Sequence, residues 1–270
     1  MIDIRNVPVP DAIEELSYEA LKEETLTYLE GMFSSEITFL ESDEVVMVVE
    51  ALLYREMLLR ARINQAIRAC FLPSAKGHDL DNKVLDYGIV RLEGESDEAL
   101  AARALLSLEG FTTAGSEGMY KFHTMSVDSR IKEVEVFEGE NGGEVDIIYY
   151  ANPDDEALTQ KIKDHLNKAT VRPLTDIVHV APCSHVEIHL ALEMHILDLS
   201  KAGEIETECL KELNEIELRI GEDLPVSRVI KTAFVEGVFR VKTAMEDVEV
   251  GERARAHIAS IDLTFVEAVL

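Results

Sequence analysis

Between residues 42 and 72 apolar positions recur at three- and four-residue steps for longer than anywhere else in the chain, in the run SDEVVMVVEALLYREMLLRARINQAIRACFL. Val45, Val49, Leu52, Leu59, Ile63, Ala66 and Cys70 form one row, and Val46, Leu53 and Met57 form a second beside it. That period predicts one long helix. Ser42 is placed to cap it, and Asp43 and Glu44 oppose the positive end of its dipole. Unbroken, it would be roughly 45 Å long at about 1.5 Å per residue. Pro73 stops it, because proline lacks an amide donor and clashes with the preceding turn. Two apolar rows predict two packing partners.

Upstream, Pro8 and Pro10 favour an extended lead-in, and Ser17 opens an amphipathic helix to about Met32, with Leu21, Leu26 and Leu29 set among acidic residues. Gly31, Ser34 and Ser35 end it. One helix cannot bury such a face by itself, so residues 1–41 read as an N-terminal arm that packs on the long helix or on another subunit. Downstream, Asp79 caps a short helix ending near Gly88, Ser96 caps a helix over 99–109, and Thr113 caps a third through Met119, Tyr120 and Phe122 to about Ser126. Residues 42–127 are therefore read as a helical core-bundle domain.

After Asp128 the period changes to two. Ile131, Val134 and Val136, then residues 145–150, predict two strands joined at Asn141, Gly142 and Gly143, a strong hairpin signal. A helix over 154–169 follows with Pro153 in its first turn, then a strand at 177–181. A second pass has a similar order: a long strand at 185–197, helices at 203–219 and 225–236, and strands at 238–244 and 254–265. HTMSVDSRIKEVEV resembles TAFVEGVFRVKTAM, each reading as short helix, turn and strand. The fold class is α+β: an N-terminal helical arm and a helical unit, then two small α/β layers, mixed sheets covered by helices, at 128–183 and 184–270.

Composition narrows the function classes. The formal net charge is -27, which argues against a phosphate-backbone binder, since nucleic-acid recognition depends on basic patches. Residues 1–16 lack the basic and apolar segments of a secretory leader, and no window approaches the roughly 20 apolar residues of a membrane span. The chain is expected to be made as a soluble cytoplasmic product. Cys70, Cys183 and Cys209 are far apart, odd in number and in no CxxC pattern, so they read as reduced thiols.

Three patterns could carry chemistry. On the strand at 185–197, alternation puts His185, Glu187, His189, Glu193 and His195 on one face and Val186, Ile188, Leu190, Leu192, Met194 and Ile196 on the other. Imidazoles and carboxylates could bind zinc or iron, but same-face neighbours lie about 7 Å apart along a strand, so one metal would need ligands from elsewhere. A polar sheet face is the simpler reading. Gly110, Gly115 and Gly118 match no phosphate-binding fingerprint, and no nucleophile elbow or HExxH is present. Arg55, Arg60, Arg62 and Arg68 are the densest positive charge in the chain: either a solvated face paired to Glu50 and Glu56, or an interface for an acidic partner.

One set of blocks, in order, goes further. These are LESD at 40–43, EALLYREMLLR at 50–60 with Arg62, Asn64 and Ala66, then Gly77, DLD at 79–81, Tyr87 and Gly88. TAG at 113–115, Glu117, Gly118, YKFH at 120–123, Val134 and VRPLTD at 171–176 complete it. With these blocks the chain resembles, over roughly residues 10–250, the baseplate J-like family of contractile-tailed phages and related injection particles. Two departures are visible: only residues 91–95 stand where many members carry a Pro-rich charged insert, and Pro73 replaces a helix-compatible residue.

The resemblance implies a structural wedge protein of the tail baseplate, without catalysis or cofactor, assembled in the host cytoplasm. It implies that two copies join one copy of a different wedge protein through a shared helical bundle. The α/β domains would then link neighbouring wedges into a ring around the hub, next to sheath-proximal baseplate proteins, and rearrange on contraction, with no nucleic-acid or membrane partner. The residues expected at that subunit interface are Val45, Val49, Leu52, Leu53, Tyr54, Arg55, Met57, Leu59, Arg60, Arg62 and Ile63. The competing readings are a metal-dependent enzyme built on His185, His189 and His195, and a stand-alone acidic binding module or chaperone.

Overall fold

The computed structural model describes residues 7–8, 10–32, 39–112, 114–153 and 155–268. The expected helix stop at Ser34 and Ser35, the Thr113 cap and a helix start at Asp154 lie outside them. The protein is α+β. Its helices are α1 (Tyr18–Met32), α2 (Glu44–Ala69), α3 (Gly77–Lys83), α4 (Asp97–Gly110), α5 (Glu117–Met125), α6 (Glu156–Leu166), α7 (Ala202–Asn214) and α8 (Val226–Ala233). Its strands are β1 (Ile131–Glu138), β2 (Glu144–Ala151), β3 (Ile177–Pro182), β4 (Ser184–Ile196), β5 (Val238–Lys242) and β6 (Ala254–Glu267). The chain divides into two compact units, Met1–Arg91 with Glu95–Leu105, and Leu92–Gly94 with Leu106–Leu270.

In the first unit α2 has 26 residues, about 39 Å at 1.5 Å per residue, and is shorter at both ends than its apolar period indicates. Asp43, not Ser42, is the N-cap residue, and its carboxylate accepts the Leu40 amide at 2.8 Å rather than a helix amide. The helix ends at Ala69, before Pro73 acts on it. The Ser74 hydroxyl donates to the Arg68 carbonyl at 2.7 Å and the Ala75 amide to Phe71 at 2.9 Å, so the last carbonyls are satisfied by a turn. α3 begins at Gly77, ahead of the expected Asp79 cap, and a 3-10 turn over Val84–Tyr87 ends at Gly88, whose φ of 70° is the left-handed cap that glycine permits. Ser96 caps α4 by accepting the Ala99 amide at 3.2 Å.

Leu72, Ala75, Leu80, Val84, Ile89, Leu100, Ala101 and Ala104 are buried in this unit. Among them lies an ion pair with both side chains 4% exposed: Arg103 donates to both Glu95 oxygens, at 2.8 and 2.7 Å, and to the Val90 carbonyl at 2.7 Å. Nearby, Arg91 donates to Asp81 at 2.6 Å, Asp97 at 2.7 Å and the Glu95 carbonyl at 2.9 Å, closing the loop between α3 and α4.

The second unit holds two three-stranded sheets, β1-β2-β3 and β5-β4-β6. In each, the central strand has one antiparallel and one parallel neighbour. In each, a helix follows the central strand (α6, α7) and a helix precedes the antiparallel edge strand (α5, α8). The similarity of the two helix-turn-strand stretches is thus one of spatial arrangement with the chain order permuted. Met119, Tyr120, Ile147, Tyr149, Leu158, Ile162 and Leu166 fill the core of the first layer. Leu190, Leu192, Met194, Cys209, Leu213 and Val229 fill the second.

Helix ends in this unit also differ from the pattern. α5 is capped by Ser116, which accepts the Met119 amide at 3.2 Å. α6 is capped by Asp155, which accepts the Leu158 amide at 2.6 Å, so Pro153 stands ahead of the first turn. α7 stops at Asn214, because Ile220 leaves to bridge to Arg255 and Leu224 to Val248. α8 stops at Ala233, short of Glu236, and Gly237 turns the chain with φ 93°. The two layers meet where Ile148, Cys183 and Ile220 are buried together. There Arg253 pairs with Asp146 at 2.7 Å, and the Arg255 guanidinium lies 3.9 Å from the Tyr150 ring centre.

Candidate subunit interface

The arm and the long helix form an antiparallel pair. Glu14 contacts Asn64 and Arg60, while Lys22 contacts Glu50, so positions advance along the arm as they retreat along α2. The contacts are specific. Asn64 is buried and exchanges two hydrogen bonds with the Glu14 backbone, Arg60 donates to Glu14 at 3.0 Å and to Glu56 at 2.7 Å, and Lys22 donates to Glu50 at 2.6 Å. Glu14 escaped the sequence reading, and Asn64 entered it only within the block that carries the resemblance. The available signal was that Asn64 continues the second row, seven residues past Met57.

Among the described residues, only one of the two apolar rows finds a partner within the chain. Val46 and Leu53 are buried, Leu53 to 3% exposure, and Met57 is half-buried, all on the side turned to α1. The other row is open: Val45, Leu52, Leu59 and Ile63 are exposed, Leu52 and Leu59 each to 65%. Met47, Val48, Tyr54 and Leu58 widen the bare face on one side, and Val49 is half-buried at the opposite edge. Exposed apolar side chains are ordinary singly, but eight along one helix form the kind of continuous patch that marks an interaction site. α1 adds exposed Tyr28 and Met32 and has no fully buried residue. Of the four arginines of α2, only Arg60 pairs with an acid among the described residues. Arg55, Arg62 and Arg68 are exposed, and Arg62 reaches only Gln65 at 3.5 Å.

The histidine strand resolves as a sheet face. Along β4 the even-numbered residues from Ile188 to Ile196 are buried, while His185 and His189 are exposed. His195 bonds Glu193 at 2.6 Å, His189 bonds the Ser260 hydroxyl at 2.9 Å, and the His185 ring packs against Tyr150 and His257. Among the described residues no three His, Cys, Asp or Glu side chains converge as a metal site would require.

The glycines serve packing. A Cβ on Gly110 would stand 2.1 Å from the Phe122 ring, one on Gly118 2.7 Å from Glu109, and one on Gly115 (φ 76°) 2.8 Å from Asp176. Asp176 also accepts a hydrogen bond from the buried Tyr120 hydroxyl at 2.8 Å. Burial and this carboxylate together push the Tyr120 hydroxyl well above the usual tyrosine range. The blocks TAG, YKFH and VRPLTD, distant in sequence, thus meet at one point of the first α/β layer.

The two regions just described have counterparts among known proteins. Residues 41–96, from just ahead of α2 through α3, match the sequence model of the Baseplate J-like N-terminal domain. Residues 112–182, from ahead of α5 to the end of β3, match the Baseplate J-like central domain. Over both stretches the chain is similar to the Baseplate J-like family. Baseplate protein J of Escherichia phage P2 is 29% identical to it over 281 residues, covering 90% of each chain. The bare face of α2 lies wholly inside the first matched domain, and the β5-β4-β6 sheet lies beyond both.

Proposed function

We propose that this protein is a structural subunit of a phage-tail baseplate, and within it a wedge component: two copies join one copy of a different wedge protein. The observation that carries the reading is the bare apolar face of α2, inside the domain shared with baseplate J-like proteins. A face of this length, left in water on a single chain, is accounted for by a helical bundle completed by other chains. The side already covered by α1 supports the reading of residues 1–41 as an arm laid on the long helix.

In this reading the α/β layers at 128–183 and 184–270 link neighbouring wedges into a ring around the hub and shift when the tail contracts. The interface residues are Val45, Val49, Leu52, Tyr54, Arg55, Leu59, Arg62 and Ile63. Leu53, Met57 and Arg60 hold the arm against the same helix and act on the interface through it. The work is mechanical, so the chain needs no catalytic set.

The test is the composition of sheathed tails purified from the native source. The chain is expected in the baseplate fraction, in a two-to-one ratio to a second wedge protein. Its absence from sheathed tails, with the protein recovered as a free monomer, would end the reading.

A further inference from the structure

Arg55 and Arg62 stand in the middle of the bare face of α2, flanked by Val48, Leu52, Leu58 and Leu59. They are seven residues apart, so they lie almost one above the other, about 10 Å apart at 1.5 Å per residue. A helix that covers this face takes both guanidinium groups out of water, and an unpaired buried charge is strongly unfavourable. The covering surface must therefore present two carboxylates at the same spacing beside apolar residues. α1 of this protein does so. Glu23 and Glu30 are also seven residues apart, have no ion pair among the described residues, and line an open groove with Leu26 and Glu41, where the one cation, Lys22, is already paired with Glu50.

We infer that two copies of this chain join head to tail, with Arg55 and Arg62 of one copy laid on Glu23 and Glu30 of the other and Leu52 and Leu59 seated beside Leu26. This rests on the wedge reading and specifies how its two copies meet. The two surfaces are different, so the contact is heterologous, and in a pair joined by one such contact the two copies play different parts. One copy keeps its α2 face uncovered, and that face receives the helix of the different wedge protein. The two copies are thereby non-equivalent, as a two-to-one assembly requires.

The experiment uses the purified full-length chain in sedimentation velocity over a wide concentration range at low salt. The wild-type chain is expected to self-associate, less so as salt is raised. Arg55→Glu/Arg62→Glu should lose self-association, because carboxylates then face carboxylates, and Glu23→Arg/Glu30→Arg should lose it for the mirror reason. Circular dichroism checks that both stay helical. An equimolar mixture of the two variants should associate again, since each mutated surface then meets its complement; a misfolded variant cannot produce that recovery. A wild-type chain that stays monomeric at every concentration, or a mixture that fails to associate, overturns the inference. If that happens while the chain is still found in native baseplates, the wedge reading stands and another partner covers α2.

Discussion

Asn64 and Glu14 hold each other by two reciprocal hydrogen bonds across 50 residues of sequence: the Glu14 amide donates to the Asn64 side-chain oxygen at 3.1 Å, and the Asn64 amide nitrogen donates to the Glu14 carbonyl at 2.8 Å. Asn64 is 5% exposed, so neither bond is readily replaced by water. α1 contributes no fully buried residue, so this clasp and the Lys22–Glu50 pair register the arm on the long helix. Asn64→Leu removes both bonds and leaves the Glu14 backbone groups without them, at a cost of about 1–3 kcal/mol. Hydrogen exchange of the α1 amides should accelerate at least tenfold, while exchange in β2 and β4 is unchanged. Equal acceleration everywhere would mean that the arm is not separately held.

The Arg103–Glu95 pair supports the first unit from inside. Removing one member of a buried ion pair leaves the other charged and uncompensated, at a cost of about 3–5 kcal/mol. Glu95→Gln should therefore lower stability to denaturant far more than Glu56→Gln, whose partner Arg60 is solvated. Similar denaturation midpoints for the two variants would contradict the burial.

His123 and His165 bring α5 and α6 together, with ring nitrogens 3.4 Å apart. Burial holds both imidazoles below their ordinary value of 6.5, and for His165 the neighbouring Lys168 and His123 add to it. The unfolded chain then binds these protons more readily than the folded one. Their contribution to stability is complete above about pH 6.5 and is lost as the pH falls through the lower folded values. Thermal unfolding temperature should drop between about pH 6.5 and 5, and His165→Gln should flatten that slope. An unchanged slope in the variant would remove the histidine pair as its cause.

Tyr120 and Asp176 tie α5 to the turn ahead of β3 by a 2.8 Å hydrogen bond. Tyr120→Phe keeps the packing and deletes the donor, so the expected loss is about 1–3 kcal/mol. The measurement is the denaturant midpoint of the full-length protein, and no change would mean that water replaces the phenol.

What could be read from the sequence was whatever depends on periodicity. The alternation of β4, the Asn141–Gly143 hairpin and the long helix all follow from which side of an element meets the core, and adjacent residues encode that. Helix ends were less legible, because distant or flanking groups decide them: Asp43 turns to Leu40, Ser74 reaches back to Arg68, and Ile220 leaves the end of α7 to join Arg255. The buried Arg103–Glu95 pair gave no local signal, since a charged residue in a helix usually faces water, and Asn64 showed only its place in the second row of α2, not its partner Glu14. In the candidate interface, two apolar rows were visible on α2. Which row the chain covers for itself was not, because that depends on where a second helix lies.

The most direct measurement concerns Leu52 and Leu59, which stand half out of water on the open row of α2. Leu52→Asp/Leu59→Asp puts two carboxylates on that face without touching Val46, Leu53 or either sheet. Supplied in place of the wild-type chain in a producing strain, the double variant should be missing from sheathed tails, and complete baseplates should fall by at least tenfold. The purified variant should keep its circular dichroism spectrum and the unfolding transition of the α/β layers. Normal baseplates containing the double variant would show that the bare face of α2 is not where the subunits join.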